Sequence, residues 1–226
     1  MLSQVKSMTL VGMQGHLVNI QVDVAEGMPS WDVVGLPDIS IKESKQRVKA
    51  AIKNIGYFLP SRRIIINLAP ANIKKEGSFF DLPISLGVIA DLESLESTIF
   101  DDYFFLGELS LDGKINPING VLPMCIEALN LGIKKAIIPY ENRIEASIVK
   151  GLEIYPAKRL DEVIWHFKRQ KLIEPFVNNN ESELTNNPSN TLDFSSVKGQ
   201  ERIKRALEVA AAGSHNCLLI GSPGSR

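Results

Sequence analysis

The chain has 226 residues, 44% of them hydrophobic and 23% charged, with a formal net charge of −1. That length holds one large domain, or a domain plus a shorter piece, with apolar residues enough for an ordinary core. A near-neutral molecule exerts no long-range pull on nucleic acid, so any such contact must be local.

Residues 18–24 (Val-Asn-Ile-Gln-Val-Asp-Val) alternate apolar and polar side chains, the pattern of a half-buried strand. After the Gly27-Met-Pro29 turn, residues 31–36 predict a second strand. Pro37-Asp38 opens a helix with Ile41, Val48, Ile52 and Ile55 on one stripe and Gly56 as its stop. Residues 63–68 form a short apolar strand. Asp81 is placed as the cap of a second helix through Ile84, Leu86, Val88 and Ile89, with Pro83 tolerated in its first turn. Residues 103–115 suggest two strands joined at Leu111-Asp-Gly-Lys114. A helix around 124–131 ends at Gly132, a strand follows at 136–139, and a closing helix covers 160–169. Hairpins mixed with crossover helices predict an α/β or α+β sheet domain.

Composition changes near Glu174. Residues 178–191 carry one large apolar side chain, Leu184, too little to offset their ordering entropy. The expected division is a domain at 1–172, a flexible Asn-rich linker at 173–192 and a C-terminal piece at 193–226. In that piece a helix at 200–212 should turn Ile203, Ala206, Leu207 and Ala210 inward and Arg202, Lys204 and Arg205 outward. An apolar strand, Cys217-Leu-Leu-Ile220, then runs into Gly221-Ser-Pro-Gly224-Ser225. This is the opening of the G-x-x-x-x-G-K-[ST] loop, whose backbone N–H groups wrap nucleotide phosphates. Its sixth position is Arg226 instead of Gly, and the sequence stops before the Lys and the Ser/Thr. The expectation is an ATPase domain cut within its phosphate loop by a frameshift, an early stop or a partial gene.

Cys125 and Cys217 lie far apart in apolar stretches and are expected to be buried thiols of a reducing compartment. No run approaches the roughly 18 apolar residues of a membrane span, and the first residues are unlike a signal peptide. A cytoplasmic protein without membrane contact is expected. His16, His166 and His215 are scattered, so no metal site is expected.

Four stretches resemble one family: Val34-Gly-Leu-Pro37; Asn67-Leu-Ala-Pro70-Ala-Asn-Ile-Lys-Lys-Glu-Gly77 with Asp81-Leu-Pro-Ile84; Gly107-Glu-Leu-Ser-Leu-Asp-Gly113 with Ile118-Asn-Gly120-Val-Leu-Pro123; and Asp193-Phe-Ser-Ser-Val-Lys-Gly199-Gln200 leading to Gly221-Ser-Pro-Gly224. They resemble the YifB/ComM family, magnesium-chelatase-like AAA+ ATPases with an N-terminal domain related to the proteolytic domain of Lon. The resemblance implies an N-terminal domain of the ribosomal-protein-S5 domain 2-like fold. It also implies ATP and magnesium as cofactors, a homo-hexameric ring, and ATP-driven branch migration of DNA in competence. By similarity, Val197 and Gly199 would lie near the adenine, and Gly221, Ser222, Pro223, Gly224 and Ser225 would form part of the phosphate site. Without the rest of that site, this chain alone is not expected to hydrolyse ATP.

A Lon-type peptidase needs a Ser at a helix start and a Lys on a nearby helix. Lys75-Glu-Gly77 is kept, but Ser78-Phe-Phe-Asp81 follows, and neither Ser78 nor Ser85 has a Pro-Ser-Ala-Gly setting. Where the family pattern has its Lys stand Leu122 and Met124. Loss of peptidase activity is expected; a diverged Ser-dependent peptidase is the alternative. A further alternative is a stand-alone nucleic-acid- or protein-binding module. Lys42, Lys45, Lys49 and Lys53 line one face of the first helix, with Arg62 and Arg63 downstream and Lys74-Lys75 as a second basic spot. The competing reading is a solvated face with Glu43 and Arg47 as an i,i+4 pair. The carboxylates at Glu93, Glu96, Asp101 and Asp102 are read as solubilising, and Trp165, His166 and Phe167 as packing residues.

Overall fold

The computed structural model describes residues 2–96, 98–178, 194 and 197–221. The chain divides into two compact units, residues 1–178 and 179–226. The first is built on a mixed sheet. Strands β1 (Ser3–Val11) and β2 (Gln14–Ala25) pair antiparallel across a tight turn at Gly12, where φ is +63°. With β3 (Ser30–Val34), β4 (Arg63–Ala69), β5 (Tyr103–Phe105), β8 (Lys135–Pro139) and β9 (Glu153–Ala157) they give the order β3-β4-β2-β1-β5-β8-β9. Strands β1, β5, β8 and β9 run parallel, as do β3 and β4. A separate short hairpin pairs β6 (Glu108–Leu109) with β7 (Ile115–Asn116).

Because strand side chains alternate between faces, neighbouring residues enter different cores. Phe105, Ile137 and Tyr155 join one core, whereas Phe104, Ala136, Ile138 and Ile154 join the other. Helices α1 (Ile39–Asn54), α2 (Asp81–Leu92) and α5 (Leu160–Phe167) cover the first face. Helix α3 (Val121–Asn130) and the single-turn α4 (Arg143–Ala146) cover the second. The result is the expected α/β class. Helix α2 is buried almost all round, which explains its run of apolar residues without a wet face.

Helix α1 is capped as its sequence predicts: the Asp38 carboxylate accepts from Ile41 N at 2.8 Å and also from Gly77 N at 3.2 Å. Gly35 has a more demanding role. Its φ is +98°, and a Cβ there would sit 2.2 Å from the Leu68 carbonyl oxygen. Only glycine lets the chain turn from β3 this close to β4.

Several expectations are corrected. Strand β1 and strand β9 were not anticipated. Tyr103–Phe105 belongs to the main sheet, so only the 108–116 stretch forms the hairpin. Asp81 begins α2 without capping it; its side chain turns elsewhere. Residues 173–178 lie along the first unit: Ile173 N donates to His166 Nδ1, Phe176 N to the Ile154 carbonyl, and Asn178 to Ser147 Oγ. The expected linker falls otherwise on residues 179–192, outside the described residues.

In the second unit, helix α6 (Glu201–Ala212) forms where its pattern places it. The expected inward stripe is not buried: Ile203 and Ala206 are exposed, Leu207 is half-buried, and only Ala210 is covered. The predicted strand at 217–220 is irregular, with Leu218 and Ile220 at 83% and 90% exposure. A lone strand has no ladder partner for its N–H and C=O groups and no sheet to cover its side chains. Cys217 is accordingly exposed, contrary to expectation, while Cys125 is buried in α3 with its thiol pushed up to about 12 by burial.

Candidate functional sites

By the family resemblance, a Lon-type nucleophile would be expected at the start of α2. Gly77 (φ +101°) turns the chain into one 3-10 turn, Ser78–Phe80, which runs directly into α2. The Ser78 hydroxyl donates to the Glu108 carboxylate on β6. Glu108 also accepts from Asn116 Nδ2 at 3.2 Å, and Asn116 accepts from Ser110. A carboxylate is too weak a base to free an alkoxide without further help. Ser85 is fully buried and donates back to the Leu82 carbonyl at 2.7 Å.

The helix that should carry a lysine presents none. Leu122 is half-buried with its N–H donating to Glu145, and Met124 is buried in the second core. The retained Lys75 is no substitute. It is fully buried, its ammonium donates to the Pro70 carbonyl, and burial holds its pKa below the ordinary lysine value. Its backbone pairs with Leu36 and Asp38, so Lys75 pins the 70–77 loop to the entrance of α1. It therefore adds nothing to a surface basic spot, which corrects the sequence reading; Lys74 is exposed and pairs with Glu76 at 2.6 Å.

Asp81 is the buried charge of this region. Its carboxylate accepts from Arg47 Nε at 2.6 Å, from Arg47 Nη2 at 3.1 Å and from Leu109 N at 3.2 Å. Burial raises its pKa to about 6, with Arg47 and the Leu109 amide opposing the shift. Arg47 thus bolts α1 to α2 and β6, and the expected Glu43–Arg47 pair is not the one formed. A fixed bidentate pair of this kind is an architectural joint, not a reactive group.

The lysine face of α1 is distributed unevenly. Lys45, Lys49 and Lys53 line a cleft of about 440 Å³ together with Tyr57, Phe58 and Arg62 of the loop before β4; Lys42 lies outside it. Helical geometry puts residues four apart on one face, which the sequence showed. The aromatic pair was missed, although two aromatics between a helix-stopping Gly56 and Pro60 were a readable signal. The ammonium of Lys49 stands 5.4 Å from the centre of the Trp31 ring.

The nucleotide-loop residues are only partly described. Val197 and Gly199 lie in the turn before α6, with Gly199 at φ +72°. Gly221 follows on the other side of that helix, which is about 18 Å long. Ser222, Pro223, Gly224 and Ser225 lie outside the described residues. Of the other carboxylates and aromatics singled out in the sequence, Trp165 is exposed and does not take the packing role expected of it. Glu93 pairs with Lys168 at 2.7 Å, Asp102 lies 3.5 Å from Lys135, and Phe167 packs edge-on against Phe100 and Tyr103. His166 accepts from Ile173 N, and burial followed by the charge of Lys135 keeps its pKa low. Among the described residues no helix is long and apolar enough to cross a membrane.

Residues 20–142 match the family described as subunit ChlI of Mg-chelatase, and residues 193–226 match magnesium chelatase, subunit ChlI. The competence protein ComM of Haemophilus influenzae is 38% identical over 226 residues, covering 99% of this chain and 44% of that protein. YifB of Escherichia coli is 36% identical, covering 99% of this chain and 43% of its own length. The archaeal Lon protease of Methanocaldococcus jannaschii is 28% identical over 149 residues, covering 66% of this chain and 22% of the protease. The chain therefore spans less than half the length of the ComM and YifB relatives it matches. With the ChlI family matching more than half of its residues and its likeness to ComM and YifB running from end to end, the chain belongs to the magnesium-chelatase-like family that includes them.

Proposed function

We propose that this chain is the N-terminal part of a ComM/YifB-like AAA+ protein that binds ATP with magnesium, assembles as a homo-hexamer and drives branch migration of DNA in the cytoplasm. In this reading the Lon-related domain, without peptidase activity, reaches residue 178, the linker lies within residues 179–192, and 193–226 are the start of the motor. Val197 and Gly199 would approach the adenine, and Gly221 with residues 222–225 would begin the phosphate loop. One observation carries the reading: similarity to the competence protein ComM extends over 99% of the chain, through both the Lon-related domain and the loop. The lost peptidase function is supported by Ser78 being held by Glu108 and by Leu122 and Met124 standing where a lysine is needed. The 226 residues by themselves are not expected to turn over ATP, because the cation and magnesium ligands of phosphoryl transfer are not among them.

The test uses two proteins: the 226-residue chain, and a longer polypeptide in which a full AAA+ module follows it. The longer protein should hydrolyse ATP and move a synthetic four-way DNA junction only when ATP is supplied. Failure to do either would refute the motor reading. The shorter chain should resist a serine-reactive fluorophosphonate; stoichiometric labelling at Ser78 or Ser85 would instead establish the diverged peptidase.

A further inference from the structure

The cleft between α1 and the 57–62 loop has a one-signed lining. Lys45, Lys49 and Lys53 form one wall, Arg62 another, and the remaining lining residues are Pro29, Ser30, Tyr57, Phe58, Leu59, Pro60, Ser61 and Ile64, with no carboxylate among them. Four cations gathered in a molecule of net charge −1 are a local excess. Among the described residues none of the four makes an ion pair, whereas the neighbouring Arg47 and Arg63 turn to Asp81 and Asp32. Partial burial, and after it the adjacent charge of Lys45, hold the Lys49 ammonium below the ordinary lysine value.

The second observation is Phe58. It is 85% exposed at the rim of this cleft, whereas Ile64 of the same lining is buried and Tyr57 and Leu59 are half-buried. An exposed ring beside a row of unpaired cations is the combination that receives a splayed base and its phosphates. The lysine row from residue 45 to residue 53 is about 12 Å long, enough to follow more than one phosphate. The cations are recessed in a cleft, whereas reading a duplex groove needs an element that projects into it.

We propose that this cleft binds single-stranded nucleic acid, its phosphates held by Lys45, Lys49, Lys53 and Arg62 and one base stacked on Phe58. The inference deepens the DNA part of the proposed function by naming the strand state and the residues, and it does not depend on ATP turnover. Phosphate attraction is independent of base identity, and stacking tolerates every base, so little sequence preference is expected.

The experiment is fluorescence anisotropy with the full 226-residue chain and labelled oligo-dT, oligo-rU and duplex DNA of about 12 nucleotides, within the site sizes of such grooves. Single strands should bind more tightly than the duplex, and whether dT or rU is preferred names DNA or RNA as the source. The log–log salt slope should be about −2.8, as four phosphate contacts on a single strand give. Phe58→Ala should weaken binding about 5- to 150-fold. Lys49→Gln should shift the slope by about 0.7, and Lys42→Gln, on the same helix but outside the cleft, should change affinity by no more than about twofold. All three side chains are removed from the surface or rim, and equal melting temperatures will show that the variants are folded. Tighter duplex binding, indifference to Phe58→Ala, or no binding to any strand at about 50 mM salt would each overturn the assignment. If the strand fails to bind while the longer protein still moves a junction with ATP, only the cleft falls; if the cleft binds and the junction does not move, only the motor reading falls.

Discussion

Replacing Arg47 by Met tests whether the Asp81 joint holds the three elements together. The substitution keeps the stem that packs along α1 and removes the guanidinium. Asp81 is fully buried and Arg47 is 23% exposed, so the pair lies on the buried side of the range. Breaking such a pair by deleting one partner costs about 3–5 kcal/mol, because the remaining charge is stranded. Only the Leu109 N–H at 3.2 Å would then support the carboxylate.

The pH dependence gives the sign. In the native protein Asp81 titrates at about 6, already above its free value through burial. Without Arg47 the opposing stabilisation is gone, and the pKa must rise further. Between about 6 and that higher value the variant holds a proton that the parent lacks. Its deficit should therefore shrink by about 1.4 kcal/mol for each pH unit of acidification in that window. Urea unfolding of both proteins at about pH 8 and about pH 6, read by far-UV circular dichroism, measures this. The double variant Arg47→Met, Asp81→Asn should recover much of the loss at the higher pH, since no buried charge remains. A deficit below about 1 kcal/mol at the higher pH, as for an exposed pair, or a deficit that does not shrink on acidification, would refute the reasoning.

Other outcomes follow from single positions. In native protein a thiol reagent should modify Cys217 rapidly and Cys125 only after denaturation, since one is exposed and the other buried with a raised pKa; equal rates would contradict the packing of α3. Gly35→Ala should cost about 2–4 kcal/mol or prevent folding, because its Cβ would meet the Leu68 carbonyl at 2.2 Å. Gly56→Ala, at a similar φ of +92° with open space around it, should cost only the conformational term of about 1–2 kcal/mol. The two unfolding midpoints, compared side by side, separate contact from conformation. Lys75→Met should flatten the rise of stability with pH. The depressed folded pKa of Lys75 makes its ammonium unfavourable in the fold, so that penalty is relieved as pH climbs through it toward the unfolded value of 10.5. Urea midpoints at about pH 7 and about pH 10 check it, and an unchanged pH dependence would count against the burial of Lys75.

Local periodicity was enough for the elements whose partners are apolar surfaces. Residues 18–24 and the α1 stripe reveal themselves because each needs only a hydrophobic face on its own period, whatever lies opposite. The family motifs were likewise readable, since they are runs of adjacent residues. Strand β1 hid because its inward side chains include Ser3, Ser7 and Thr9, all buried. Ser3 is satisfied by the Gly87 carbonyl at 2.7 Å and Ser7 by the Phe105 carbonyl at 2.9 Å, partners roughly a hundred residues away that no window of sequence contains. Strand β9 hid for a related reason: five residues including Pro156 become a strand only beside β8.

The same distinction governs the sites. Four lysines on a helix face were visible from their spacing alone. That three of them share a cleft with Phe58 and Arg62, and that the fourth does not, depended on where the 57–62 loop folds back. Asp81 looked like a helix cap because Asp before an apolar run usually is one. Its guanidinium partner lies 34 residues earlier on another helix, and a side chain between two possible hydrogen-bond sets goes to the charged one. Sequence specifies how each segment prefers to bend and which face it must bury; tertiary structure chooses among polar partners, because those choices join residues that only the folded chain brings within 3 Å.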